Sequence, residues 1–154
     1  MQLKTIQKNI TNKLNEWLET ITDKELAKEL KKNVLVSGGS ITSMLLGEQV
    51  NDYDVYIKNI DTLLKLVKYY TTPFASEIKI IDGRNKPSGD WEGIEAISIR
   101  NCKEDQIKLF FKSKRGTFRP EVAPAKEGDK PAYKPVFFSP NAISLSDKLQ
   151  IVIR

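Results

Sequence analysis

Residues 36–58 read VSGGSITSMLLGEQVNDYDVYIK, and the fold expected for the whole chain follows from them. Val34-Leu35-Val36 is a short apolar run with the composition of a buried strand. Ser37-Gly38-Gly39-Ser40 breaks that run, Ile41 to Leu46 reads as a short helix, and Gly47 closes it. After a turn at Asn51-Asp52, Tyr53 to Lys58 is again strand-like, rich in aromatic and β-branched residues. The stretch is therefore a strand–helix–strand unit.

Asp52 and Asp54 are one residue apart at the start of the second strand. Side chains alternate faces along a strand, so both carboxylates point to one side, roughly 7 Å apart at the backbone. Tyr53 and Val55 then point the other way, toward a core. Two converging carboxylates repel unless a positive charge sits between them, and Mg²⁺ or Mn²⁺, which take oxygen ligands, fit that role. Glycines at 38 and 39 let backbone N–H groups come close to phosphate oxygens, the helix N-terminus that follows favours anions, and Ser40 adds a hydroxyl. Taken singly, Gly-Gly-Ser is also an ordinary strand-to-helix connection, and Asp-x-Asp is also a solvated strand edge. Their coincidence points to phosphate chemistry beside a metal. The stretch is not an EF-hand loop, a Walker P-loop or a Rossmann fingerprint, because the later ligands, the lysine and the third glycine are missing.

Working toward the N-terminus, Leu3, Ile6, Ile10, Leu14, Trp17 and Leu18 lie on one face of a helix over 3–20. Thr22 with Glu25 reads as a capping box opening a second helix through Lys32. Toward the C-terminus, a third helix over 60–70 is stopped by Pro73, and Ser76 to Asp82 is a strand. Residues 94–100 and 106–111 read as a hairpin, and 142–145 with 149–153 as another, turning at Ser146-Asp147-Lys148. Residues 112–135 lack apolar periodicity and read as a long loop. Within it, Lys112, Lys114, Arg115 and Arg119 beside Phe118 form either a polyanion-binding stretch or a solvated loop. Trp17 shares the apolar stripe and is a core residue; Trp91 is either a hairpin anchor or a platform for a base. The chain stops at Arg154 directly after the alternation of Leu149, Ile151 and Ile153, so a piece of a longer protein is expected.

Composition narrows the chemistry. The 154 residues make one domain, 1–154, and contain no histidine and a single cysteine, Cys102. Imidazole bases, Ser-His-Asp triads, cysteine-rich metal sites and internal disulfides are excluded. The net charge of +5 suits a polyanionic partner such as a triphosphate or a nucleic acid. No run approaches the length of a membrane helix and no secretory signal opens the chain, so a cytoplasmic location and no membrane partner are expected.

Gly38-Gly39, Ile41, Leu45-Leu46-Gly47, four residues and then Asp52-x-Asp54 resemble the signature of the DNA polymerase β-like nucleotidyltransferase superfamily. The spacing is most similar to the head domain of CCA-adding enzymes and poly(A) polymerases, although that branch has Arg-Asp where this chain has Thr42-Ser43. Small phage-encoded members also look similar, which places the protein in a host cytoplasm. The resemblance implies an α/β (α+β) fold with a palm-like mixed sheet and helices packed on one side. It implies Mg²⁺ on Asp52 and Asp54, and the triphosphate on Gly38, Gly39 and Ser40. It also implies a third carboxylate, for which Asp82 and Glu95 are candidates; by analogy with the family's later hairpin the position could instead fall at Gln150, which cannot serve as a base, or lie beyond the end of this chain. The expected function is transfer of a nucleoside monophosphate from a triphosphate to a hydroxyl acceptor such as RNA. The alternative is a degenerate module that binds nucleotide or nucleic acid without turnover. A metal-dependent glycosyltransferase, which also uses Asp-x-Asp, fits the Gly-Gly-Ser spacing less well.

Overall fold

The computed structural model describes residues 3–36, 38–48, 50, 52–86, 88, 89, 91, 93–111 and 132–153, with backbone only for Ile94 and Glu95. Among them the fold is mixed α+β: five α-helices, a five-stranded sheet and a two-stranded sheet. The basic stretch at 112–119 lies outside the described residues.

Two helices come first, α1 (Leu3–Thr20) and α2 (Lys24–Asn33). The cap of α2 is Asp23 rather than Thr22: its carboxylate accepts the Leu26 N–H at 3.1 Å, which satisfies an orphan donor of the first turn. Strand β1 (Val34–Val36) leads into α3 (Gly38–Leu45), so the two glycines form the first helical turn and not a separate loop. Gly47, at φ +72°, ends α3 in a Schellman arrangement in which Glu48 N–H bonds Ser43 C=O and Gly47 N–H bonds Met44 C=O. Then come β2 (Tyr53–Ile57) and α4 (Ile60–Thr71), whose cap Asn59 accepts the N–H groups of Asp61 and Thr62.

The second half departs from the expected pair of hairpins. Strand β3 (Ile78–Asp82) pairs antiparallel with β4 (Ile107–Phe111), and the segment between them, expected as a strand, is the helix α5 (Gly93–Arg100). An unexpected strand, β5 (Pro135–Ser139), precedes the hairpin of β6 (Ala142–Leu145) and β7 (Leu149–Val152), which turns at Ser146-Asp147-Lys148 as the sequence indicates. The large sheet runs β1-β2-β7-β6-β5 and is antiparallel except for the central β2–β7 pair.

Alternation along these strands divides the large sheet into two faces. Val55, Ile143, Leu145, Leu149 and Ile151 enter one core with Trp17 and Leu18 of α1, Leu30 of α2, and Leu63, Leu66 and Tyr70 of α4. Residues of the opposite face, including Asp54, Ser144 and Gln150, are only half-buried. Inside the core the Trp17 indole N–H donates to the Tyr70 hydroxyl at 2.8 Å, so the largest buried ring is fully satisfied.

Replacing Tyr70 by Phe keeps the shape but leaves that indole N–H buried without an acceptor. The expected loss is about 1–3 kcal/mol of unfolding free energy. Urea denaturation with an unchanged slope and a lower midpoint is the expected result; an unchanged midpoint would show that the pair contributes nothing.

Candidate functional site

The β1–β2 register pairs Val36 with Val55, so β1 ends, and α3 begins at Gly38, at the end of β2 that carries Asp54. Helix α3 packs against β2 and buries Ser40, while Gly39 stays exposed. The N-terminal turn of α3 and the two carboxylates therefore meet at one end of the β1–β2 pair. Asp52 is exposed just ahead of β2, and Asp54 is half-buried within it. Asp54 is pushed above the usual carboxylate value of 3.8, first by burial and then by the Asp52 charge, so the two groups are close enough to repel. All five residues singled out from the sequence gather at this end of the sheet.

Of the neighbours of the pair, Gln150 was reached only through the family resemblance, and Ser144 was not singled out from the sequence. The parallel register places Gln150 beside Asp54, and the antiparallel register places Ser144 beside Gln150. Asp54, Gln150 and Ser144 thus form a polar row across three strands, with neighbouring side chains about 4.5–5.5 Å apart at Cβ. Gln150 also lines an open groove of about 500 Å³ that continues past Ser139 and Asn141 to Lys108. Carboxylate, amide and hydroxyl in line can bind a cation at one end and hydrogen-bond a polar ligand along the rest.

On the core side, Tyr53 receives a clamp from α1. The Lys13 ammonium lies 5.3 Å from the centre of the Tyr53 ring and 4.9 Å from that of Tyr133, and it donates to the Asp147 carbonyl. The Tyr53 N–H bonds Lys148 C=O at 2.7 Å, tying the start of β2 to the β6–β7 turn. Helix α1, expected to serve packing alone, therefore fixes the segment between Asp52 and Asp54.

The third carboxylate is not found where it was expected. Gln150 occupies the strand position beside Asp54 and cannot act as a base. Asp82 sits in the other sheet and is committed to Arg84, which also grips Asp61 at 2.7 Å. Glu95 lies on α5 and not on a neighbouring strand. Among the described residues, no group of three or more acidic or cysteine side chains gathers to hold a metal.

A family model for Gabija anti-defense 2 family protein, Gad2, matches residues 8–154. The chain belongs to the Gad2 family. Neither a curated protein nor a solved structure matches it. The resemblance to the polymerase β-like nucleotidyltransferase superfamily is corrected by this result: the family model that covers the chain is Gad2, and no nucleotidyltransferase family model matches. That resemblance rested on some twenty residues around Gly38 and Asp54, whereas the Gad2 match spans nearly the whole chain.

In this Gad2 chain Asp82 is structural. Its carboxylate accepts from the Arg84 side chain and backbone N–H, and those bonds hold it below the ordinary carboxylate value. Gly83 makes the turn possible, since a Cβ there would sit 1.7 Å from the Lys103 carbonyl oxygen. Because the folded value is depressed, the folded state binds fewer protons than the unfolded state between the two values, and Asp82 adds stability above the unfolded value. That contribution disappears as pH falls through the folded value. Asp82→Asn should melt below wild type at pH 7, with the gap closing as the pH falls below the ordinary carboxylate range. A gap independent of pH, followed by calorimetry, would remove the charge from the explanation.

Proposed function

We propose that this Gad2-family protein acts against Gabija defence in the host cytoplasm, through a site that takes a divalent cation and a nucleotide. The observation that carries the reading is the meeting of Asp52 and Asp54 with the first turn of α3 at one end of β1–β2. Asp52 and Asp54 would supply the oxygen donors that Mg²⁺ or Mn²⁺ prefers, and the N–H groups of Gly38 and Gly39 in the first turn of α3, beside the buried Ser40, would meet phosphate. A bound cation would screen the repulsion between the carboxylates and neutralise phosphate charge. No helix among the described residues is long and apolar enough to cross a membrane.

Two chemistries are compatible with this site. In the first, the nucleotide is held without turnover: Gln150 and Ser144 offer an amide and a hydroxyl for hydrogen bonds, and neither side chain serves as a base. Sequestering a nucleotide, or docking on a nucleotide-bearing partner, would then oppose the defence. In the second, a hydroxyl of RNA or another acceptor attacks the α-phosphate and releases pyrophosphate; the groove beyond Gln150 gives such an acceptor room. Gln150, an amide and not a carboxylate, stands on the strand beside Asp54, which favours the first.

Thermal melting with Mg²⁺ and each nucleoside triphosphate, alongside a pyrophosphate-release assay, separates these readings. A wild-type melting rise that needs metal and nucleotide together, and that Asp54→Asn abolishes, is the expected result; a ligand at a hundred times its Kd contributes about 2.7 kcal/mol. Metal-dependent pyrophosphate release would assign the transfer chemistry instead. Equal melting of wild type and Asp54→Asn under every condition would sink the site.

A further inference from the structure

A second cavity, of about 370 Å³, lies apart from Asp52 and Asp54, between α4, the β3–β4 pair and α5. Its volume is that of a small-ligand site. Leu64 and Phe110 give it apolar walls, and Trp91, still 36% exposed, stands at its margin. Residues 91 and 94–100 do not form a hairpin, so Trp91 does not anchor one. Lys68 and Lys79 also line the cavity, as does Asn85, whose amide donates to Asp82 at 3.4 Å.

The strand lining the cavity offers its main chain as well. Gly83 N–H bonds Gln106 C=O, continuing the ladder in which Asp82 faces Ile107, so Gly83, Ile81 and Lys79 direct their backbone groups toward β4. Ile80 faces Leu109, whose own N–H turns away from β3 to the Pro140 carbonyl. Among the described residues no strand pairs with the other edge of β3, and the Ile80 N–H and C=O point off it. Lining by Lys79, Ile80, Ile81 and Asp82 in succession shows that this edge borders the cavity. A donor and an acceptor on one residue, an indole, apolar walls and two cations suit one kind of ligand: a flat heterocycle with a hydrogen-bonding edge and an anionic tail.

We infer that this cavity binds a nucleoside monophosphate or a heteroaromatic anion of that size. The base lies against Trp91 and Leu64, its edge reads Ile80, and the phosphate meets Lys68 and Lys79. This site is independent of the metal site and needs no divalent cation. A peptide strand added to the same β3 edge is the competing occupant.

The fluorescence of the two tryptophans provides the test. Trp17 is wholly buried in the core and serves as the internal reference, so a ligand-dependent change reports Trp91. AMP, GMP, CMP and UMP are titrated with excitation near the red edge of indole absorption, in EDTA, with inorganic phosphate and the free nucleosides as controls. Saturable quenching by at least one monophosphate, retained in Asp54→Asn, is expected. Lys68→Ala should weaken it about tenfold, the effect of losing one charge-assisted hydrogen bond. Trp91→Leu should abolish the signal while calorimetry still detects weaker binding. No saturable change and no calorimetric heat up to millimolar nucleotide overturns the inference, as does unchanged affinity in Lys68→Ala. Inorganic phosphate acting as strongly as the nucleotides overturns the heteroaromatic assignment.

Discussion

Tyr53 lies beside Leu149, and Val55 beside Ile151, in a parallel pairing of strands from distant parts of the chain. Parallel neighbours cannot be joined by a tight turn, so everything from α4 to β6 forms the connection between them. The entropy of closing so long a loop is offset by apolar burial: Val55, Leu149 and Ile151 are all but inaccessible and share a core with three helices. Once this pair forms, β1 can join only outside β2, and β6 and β5 only outside β7. The same register that buries Val55 against Ile151 puts Asp54 beside Gln150 on the other face. Core and candidate site are two sides of one alignment, and a slip of one residue would bury the carboxylate and expose the valine.

That alignment is secured at the end where the site lies. The β6–β7 turn holds Asp147 and Lys148 at φ +65° and +64°, a conformation that costs non-glycine residues roughly 1–2 kcal/mol each. The turn is held by the Asp147 carboxylate, which accepts from Ser146 and from the Ala132 N–H, and by Lys13, which bonds the Asp147 carbonyl. Tyr133, also left-handed at φ +47°, donates its hydroxyl to Glu16 on the same helix α1. Two aromatic rings around the Lys13 ammonium compensate in part for its burial, which lowers its proton affinity. The strain is thus confined to the turn beside Tyr53, and α1 fastens it.

What the sequence made legible was local. The 36–58 unit, the helices over 3–20 and 60–70 and the final hairpin are all settled by short-range periodicity, caps and glycines, and they form within a residue or two of expectation. Segment 94–100 failed because its isoleucines satisfy strand composition, whereas in the helix Ile97 stays exposed and Ile99 turns into the core. The decision came from packing, in which Ile99 and Cys102 cover Ile81. Strand β5 was missed because it begins at a proline after a lysine-rich stretch; it lies at the sheet edge, where its pairing with β6 shifts register just after Pro135. Asp23 and Thr22 are equally good caps on paper, and the chain direction chose between them.

The candidate site shows the same limit. Asp52, Asp54, Gly38, Gly39 and Ser40 are close in sequence and could be collected by eye, whereas Gln150, Ser144 and Lys13 reach them only through strand register and a helix contact. A short motif reports which groups can approach a phosphate, but the strand neighbour decides what they can do there. A carboxylate beside Asp54 would complete a metal centre and supply a base; an amide beside it would supply only hydrogen bonds to a ligand held there. Family membership agrees with reading the motif less strictly, since a twenty-residue pattern fitted a superfamily that the remaining residues do not support. In this chain that neighbour is Gln150, which no local reading of 36–58 brings into view.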